Sequence, residues 1–386
     1  MHDVRVNRKA ARRVASGHPW IFAGDVVEKG EAEPGEAVRV VDPKGRPLGT
    51  AHFSAASQIA LRLLTRGVEE IGREFFARRL TAAEAHRRRV VCGSDAYRVV
   101  HGEGDLLPGL IVDRYADWLT VQLLDQGMDR AGPWIIDALV ETFSPRGMVA
   151  RNDAAVRARE ALPLESGVIY GEVPDHVAVH INGLRLDADL LHGQKTGMFL
   201  DQRENYLAAA RFARGKTLDC FSSTGGFALH LAPVCQSVEA LDSSGAALAA
   251  AARNAALNGI SNIEFREADV FTALASYSSA RRLYDTVILD PPAFAKSRST
   301  VESALTAYKE INLRALRMLE TGGVLVTCSC SQRVSEADFL ELIAQAALDA
   351  GRQLRVLERR TQAQDHPILL TVPETHYLKC IILEVL

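Results

Sequence analysis

Val287-Ile288-Leu289-Asp290-Pro291-Pro292-Ala293-Phe294-Ala295-Lys296 is the stretch on which the fold turns. An apolar, β-branched run ends in an acid, two prolines and an aromatic. A short continuous apolar run of this kind reads as a strand buried on both faces, as in a parallel sheet. Proline has no N–H to give to a ladder, so the chain must leave the sheet at Pro291. In a doubly wound sheet, ligands bind beyond the carboxyl ends of the strands. Asp290 therefore stands where chemistry is expected, in a stiff turn, with Phe294 nearby as a stacking surface. The next strand-like run ends in Thr327-Cys328-Ser329-Cys330-Ser331 and delivers Cys330 to the same rim. Cys328 is expected on the opposite face of that strand, as a packed thiol.

Outward from this centre the chain alternates strand and helix. Thr217 to Phe227 reads as strand, glycine turn and helix start; Val238 to Asp242 is a second strand ending in an acid. Ala246 to Asn258 is a helix stopped by Gly259, and Ile263 to Asp269 is a third acid-terminated strand. After the Asp290 strand come a helix from about Glu302 to Leu319, the Cys330 strand and a helix from Ser335 to Ala350. Such alternation predicts a parallel α/β sheet of Rossmann-like type.

The 386 residues exceed one ordinary core, so the chain is expected to divide. Residues 1–67 read as a β-rich module, with strands at Val38–Asp42, from Pro47 to Phe53 and from Ile59 to Leu64. A basic arm (Arg5, Arg8, Lys9, Arg12, Arg13) precedes Trp20 and Phe22, a pairing of charge and aromatics that suits RNA if the rings are exposed and a packed core if they are not. Residues 68–185 read as a small α+β unit. It opens with a helix from Glu69 to about Arg89 whose arginines, among them Arg87, Arg88 and Arg89, are either a solvated face or phosphate contacts. Arg151, Asn152, Arg157 and Arg159 are further candidates for RNA contact, with a polar loop as the simpler account. Residues 186–386 are the alternating α/β domain.

Composition excludes several classes. The chain is 47% hydrophobic and 24% charged, as globular proteins are, and no apolar run approaches the ~20 residues that span a bilayer. The N-terminus has basic residues without an apolar core, so no secretory signal is expected and a cytoplasmic location follows. A net charge of −3 gives no global pull on nucleic acid, so an RNA partner would need local basic patches. The six cysteines include no CxxC pair, and none lies at zinc spacing with histidine; no metal is expected.

A strand that enters a helix through a glycine turn brings its backbone close to a ligand. Here the turn is Asp219-Cys220-Phe221-Ser222-Ser223-Thr224-Gly225-Gly226-Phe227. Asp242, about 20 residues on, is placed for ribose hydroxyls. Dinucleotides and S-adenosylmethionine both use this arrangement. The turn lacks the GxGxxG spacing, and its leading acid would repel a pyrophosphate while suiting an amino group. Asp219 for the methionine amine, Asp242 for the ribose and Asp269 for the adenine amine therefore point to S-adenosylmethionine. A capping or loop role for each acid is the competing account.

With these residues in hand, the chain resembles the bacterial 23S ribosomal RNA cytosine-5 methyltransferases that carry an N-terminal PUA domain. The resemblance rests on Gly193-Gln194-Lys195-Thr196-Gly197 with Leu200-Asp201-Gln202-Arg203, and on Cys220-Phe221-Ser222 with Thr224-Gly225-Gly226-Phe227. Asp290-Pro291-Pro292, Tyr308-Lys309-Glu310-Ile311-Asn312 and Ser329-Cys330-Ser331 belong to it, as do Asp365-His366-Pro367, Tyr377-Leu378-Lys379 and, for the PUA portion, His18-Pro19-Trp20-Ile21-Phe22. It implies a PUA domain, a central domain and a class I methyltransferase domain. It also implies S-adenosylmethionine held by Gln202, Arg203, Asp219, Phe221, Thr224, Gly225, Gly226, Asp242, Asp269 and Asp290. The expected substrate is 23S RNA, free or in a pre-50S particle, contacted by Pro291, Pro292, Phe294 and Lys296; family structures are often dimers. Ala293 stands where many RNA cytosine-5 enzymes have a cysteine after the prolines, as a single-cysteine pattern allows.

The chemistry expected is attack of the Cys330 thiolate on cytosine C6, with Asp290 at N3 and the exocyclic amine, so that C5 becomes nucleophilic. An amine methyltransferase, such as one acting on adenine N6, would use the acid-Pro-Pro-x-aromatic segment without a thiol. A non-catalytic RNA-binding assembly factor would need neither, and a nicotinamide dehydrogenase has the wrong glycine spacing.

Overall fold

A computed structural model describes residues 1–193, 196–295 and 300–386. The chain forms two compact units. The first comprises Met1–Ile181, Ala188–Leu200 and Gln364–Thr375; the second comprises Asn182–Asp187, Asp201–Ala363 and His376–Leu386.

The first unit holds two sheets. Strands Asp3–Val6, Trp20–Phe22, Val26–Glu28, Ala37–Val41, Pro47–Phe53 and Ile59–Thr65 make a six-stranded sheet. It closes on a core that includes Val4, Val6, Ile21, Val38, Val40, Ala51 and Leu61. Strands Ala96–His101, Leu110–Tyr115, Trp118–Leu123, Gly147–Asn152 and Glu165–Gly171 make a five-stranded sheet. Its core is shared with helices Arg73–Val90 and Gly132–Phe143 through Phe75, Phe76, Leu80, Ile135 and Leu139.

The second unit is built on seven strands: β1 (Lys216–Cys220), β2 (Ser237–Asp242), β3 (Ile263–Glu267), β4 (Tyr284–Leu289), β5 (Leu319–Ser329), β6 (Leu354–Arg360) and β7 (Lys379–Val385). Their order is β3-β2-β1-β4-β5-β7-β6. The first five are mutually parallel, while β7 runs antiparallel to both β5 and β6. The expected parallel sheet is thus mixed at one edge. The two strands after the helix Glu336–Asp349 are not among the expected elements, although Cys380-Ile381-Ile382-Leu383 is as apolar as β4.

The central run behaves as its residues dictate. Val287, Ile288 and Leu289 are fully buried, Val287 and Leu289 on one face with Tyr308, Ile311 and Leu316, and Ile288 on the other with Phe227, Ala228 and Leu231. Each such side chain contributes roughly 1.5–3 kcal/mol on leaving water, which fixes the register of β4. The helix before β5 runs Val301–Arg317 and ends earlier than expected, because Leu319 already pairs with Tyr284 in the sheet.

Candidate active site

Parallel pairing brings the carboxyl ends of β1, β2, β4 and β5 to one edge, and with them Asp219, Asp242, Asp290 and Cys330. The turn after β1 is tightly coiled. Phe221, Ser223 and Gly225 take positive φ angles of 63°, 51° and 84°. Left-handed backbone at two non-glycine residues costs on the order of 1 kcal/mol or more each and collects at ligand-binding turns. Gly226 cannot carry a side chain, since a Cβ there would lie 2.3 Å from the Tyr206 hydroxyl. Gly225 precedes the helix Gly226–Leu231 and Thr224 lies half-buried beside it.

Two acids anchor this turn. Asp242 accepts from the Ser223 amide (2.8 Å) and the Ser244 amide (2.8 Å). Asp219 is buried; its Oδ2 accepts from Ser222 Oγ (2.7 Å) and the Ala228 amide (3.0 Å). Its Oδ1 is buried and takes no hydrogen bond from any described residue. Burial pushes the Asp219 carboxyl up to about 7; the charges of Asp290 and Asp242 add to this, and its two donors oppose it. A buried carboxylate oxygen without a donor is costly and calls for a cationic or N–H-bearing ligand. Ser223 Oγ is likewise buried and unpaired, and sequence reading missed it, because serine in a glycine turn carries no signal of its own.

Asp269 lies two residues past β3 and caps the helix Val270–Ser279, accepting from the Thr272 amide (2.8 Å) and hydroxyl (2.7 Å). Those bonds hold its carboxyl below the ordinary range. The capping role that competes at each of the acids is the one this residue plays.

Asp290 follows β4, and its Oδ1 accepts from Gln202 Nε2 at 2.8 Å. Gln202 in turn accepts from Asn205 Nδ2 (2.6 Å), and Asn205 accepts from Arg360 Nε (2.9 Å). Gln202, expected at the cofactor, thus contacts the acid. Arg203 is buried and lies 3.7 Å from Glu204.

Cys330 stands just past β5, half-buried, with Sγ 3.9 Å from the Pro291 carbonyl oxygen. The thiol and the acid-proline turn are therefore neighbours. Ser331 joins the two segments: its Oγ accepts from the Ala295 amide (3.2 Å) and hydrogen-bonds the Tyr308 hydroxyl (3.0 Å). Tyr308, to which the sequence assigned no role of its own, is the post behind the turn. Cys328 is the packed thiol expected of it, though not for the reason of alternation. Residues two apart on a strand share a face, so alternation does not separate Cys328 from Cys330. The strand end does: Cys328 is inside β5, fully buried and opposite Cys380, whereas Cys330 is beyond it.

Pro291 is buried and Pro292 exposed. Phe294 is half-buried in an aromatic row, with ring centroids 4.7 Å from Tyr308, 5.7 Å from Phe271 and 6.5 Å from Phe221. Phe221 also meets Phe271 at 6.2 Å. Lys296 lies outside the described residues.

In the first unit several arginines read as RNA contacts are structural. Arg87 is fully buried, bonded to Asp105, to the Arg98 carbonyl (2.8 Å) and to the Asp365 carbonyl (2.7 Å). Arg157 is fully buried against Asp129 and the Pro163 carbonyl, and Arg151 and Asn152 are buried too. Arg88, Arg89 and Arg159 remain exposed. Trp20 is half-buried, with its indole N–H on Glu103 (2.7 Å), and Phe22 is exposed beneath the Arg13 guanidinium (4.7 Å). Among the described residues no group of His, Cys, Asp or Glu could hold a metal ion, and no helix is long and apolar enough to cross a membrane.

Residues 97–381 match the family model of S-adenosylmethionine-dependent methyltransferases. The chain belongs to that family. Residues 4–66 match a PUA-like domain, so the expected fold class holds. The methyltransferase is 40% identical over 394 residues to the ribosomal RNA large subunit methyltransferase I of Shewanella amazonensis, spanning 99% of this chain and 100% of the relative. It is 42% identical to the protein of the same name from Tolumonas auensis, over 94% of each. Two solved structures share the fold along the full length of both chains. One is a methyltransferase in complex with SAH (TM-score 0.87, 20% identity), the other an S-adenosylmethionine-dependent methyltransferase from Streptococcus mutans (TM-score 0.85, 19% identity). The cofactor is S-adenosylmethionine, and the unpaired Asp219 Oδ1 fits its ammonium group.

Proposed function

We propose that this methyltransferase modifies C5 of a cytosine in large-subunit ribosomal RNA, with Cys330 as nucleophile and Asp290 as the group that holds the base. The observation that carries the reading is the approach of Cys330 Sγ to the Pro291 carbonyl, one residue from Asp290. The relatives, ribosomal RNA large subunit methyltransferases by name, supply the RNA.

C5 of cytosine is a weak nucleophile. The Cys330 thiolate adds to C6, forming a C–S bond and sending the ring's electrons toward N3, where Asp290 favours gain of a proton. C5, now enamine-like, would take the methyl group that S-adenosylmethionine supplies as a sulfonium electrophile, the S–CH3 bond breaking to leave neutral S-adenosylhomocysteine. A base removes H5 and the C–S electron pair returns to sulfur. The cytosine must leave its stack, at a cost of a few kcal/mol, and Pro291, Pro292, Phe294 and Lys296 are proposed to receive it. Asp219, Asp242, Asp269, Phe221, Thr224, Gly225, Gly226 and Arg203 are proposed to hold the cofactor, with Asp219 taking the ammonium.

The domain division 1–67, 68–185 and 186–386, a pre-50S particle as an alternative substrate to free RNA, a homodimer and a cytoplasmic location are parts of the same proposal. The test uses Cys330→Ala with a large-subunit RNA fragment and methyl-labelled cofactor. Transfer to cytosine C5 is expected to vanish; undiminished transfer overturns the nucleophile. RNA carrying 5-fluorocytosine should trap a covalent adduct, because fluorine cannot leave as H5 does. An amine methyltransferase using the same acid-proline turn forms none.

A further inference from the structure

One lysine is buried against the turn that carries Cys330. Lys379 opens β7 opposite Ser329, the last residue of β5, and is 4% exposed. Its Nζ donates to three carbonyls: Ser331 (2.7 Å), Val334 (2.9 Å) and Tyr377 (2.9 Å). Ser331 adjoins Cys330, and the same residue clamps the Ala295 amide and the Tyr308 hydroxyl. Two of the three bonds therefore tie the turn that follows the thiol, and the third goes to a carbonyl two residues before the lysine itself. A neutral donor could serve carbonyls, whereas a buried charge carries a desolvation cost. That cost points to a role for the charge itself.

The groups around Cys330 set the balance. Asp290 is one residue from the carbonyl that Sγ touches, and the neutral Tyr308 hydroxyl stands behind Ser331. Glu336 opens the helix after the loop and is paired with Arg359. Lys379 brings positive charge from the β7 side. Burial draws its pKa down to about 8, and Cys330 and Glu336 oppose that shift.

We propose that Lys379 is a positioning residue for Cys330: it ties the Ser331–Val334 turn in place and keeps a positive charge beside the sulfur. In the reaction above, sulfur is anionic twice, before it adds to C6 and after it leaves. A cation fixed beside it favours both states without touching the substrate. The inference rests on Cys330 as nucleophile, so its test reads the thiol directly.

Alkylation of Cys330 by iodoacetamide is followed against pH by peptide mass mapping, which separates it from the exposed Cys92. Glutathione is run alongside. In the wild-type protein the alkylation midpoint is expected below that of glutathione. A fixed positive charge favours the thiolate, so K379M and K379Q should slow Cys330 alkylation about tenfold at pH 7 and move the midpoint up. K379R, which keeps the charge, should stay within about threefold. In methyl transfer, K379Q should lower kcat with little change in the KM for RNA. A wild-type midpoint equal to that of glutathione overturns the proposal, and this needs no variant to fold. So does a folded K379Q, with unchanged S-adenosylmethionine binding, that alkylates at the wild-type rate. Methyl transfer surviving in C330A would instead sink the nucleophile reading and leave the alkylation result standing.

Discussion

Gln202 Nε2 donates to Asp290 Oδ1 at 2.8 Å, and Asn205 and Arg360 hold the glutamine in that orientation. The acid at the end of β4 is thus aimed by a relay of side chains rather than by its own turn alone. A hydrogen bond to a charged group contributes about 1.5–3 kcal/mol. Gln202→Leu should therefore lower kcat by roughly 10- to 100-fold, with a much smaller change in S-adenosylmethionine affinity. Steady-state kinetics and calorimetry on the same variant check this. Equal losses in both would return Gln202 to the cofactor site.

Cys328 and Cys330 separate by burial. Cys328→Ser exchanges a thiol packed among Cys380, Val326 and Ile288, beside the Gln202 side chain, for a more polar hydroxyl. Burying the more polar group costs at most ~1–3 kcal/mol, so this variant should melt a few degrees lower yet keep its methyl transfer. Cys330→Ser should melt like the wild type and lose transfer. Differential scanning fluorimetry paired with the labelled-methyl assay decides between them.

Legibility in the sequence followed the range of each interaction. The β4 run, the glycine turn and the acids at strand ends announce themselves through local pattern, because burial on two faces and a tight turn each demand particular residues. The clamp made by Ser331, Tyr308 and Ala295 does not, since its members are 13 to 36 positions apart and ordinary in type. Lys379 was visible only as part of a motif. Arginine misled most: in sequence a guanidinium in a basic run looks solvated, and only tertiary partners show that Arg87 and Arg157 are sealed inside. The antiparallel β7 escaped because nothing local separates the last strands of a sheet from its central ones.

The Asp219 carboxyl sets a pH dependence with opposite signs for stability and binding. Its pKa is raised from 3.8 to about 7 by burial. A carboxyl whose folded value lies above its unfolded one binds its proton more tightly when folded. Its contribution is full below pH 3.8 and is lost as the pH climbs through 7. The cofactor-free protein should therefore lose stability across that window, by on the order of 4 kcal/mol at most. Asp219→Asn should flatten the loss and melt higher than wild type at about pH 8. Cofactor affinity should run the other way in the wild type, rising from about pH 6 to about pH 8 as the carboxylate forms for the ammonium, and should fall sharply in the variant. Melting curves and binding isotherms at the two pH values test both signs; a variant that binds as tightly as wild type removes Asp219 from the ammonium.

Arg87, Arg88 and Arg89 are consecutive, yet they should answer differently. Arg87 is sealed against Asp105 and two carbonyls. Arg87→Met leaves the Asp105 charge with the His101 amide as its remaining partner, and breaking a buried ion pair costs about 3–5 kcal/mol. The first unit should unfold at a lower temperature, while RNA affinity below that temperature stays put. Arg88 and Arg89 are exposed, with Arg88 reaching the neighbouring Glu84 (3.2 Å). Replacing both with Gln should leave melting within about half a kcal/mol of wild type. On the phosphate-contact reading of this run, affinity falls uniformly across RNA sequences, and the log–log salt slope shrinks by about one for each phosphate that is no longer neutralised. Filter binding of a large-subunit RNA fragment at several salt concentrations reads the slope, and an unchanged slope in the double variant takes this face of the helix out of the RNA interface.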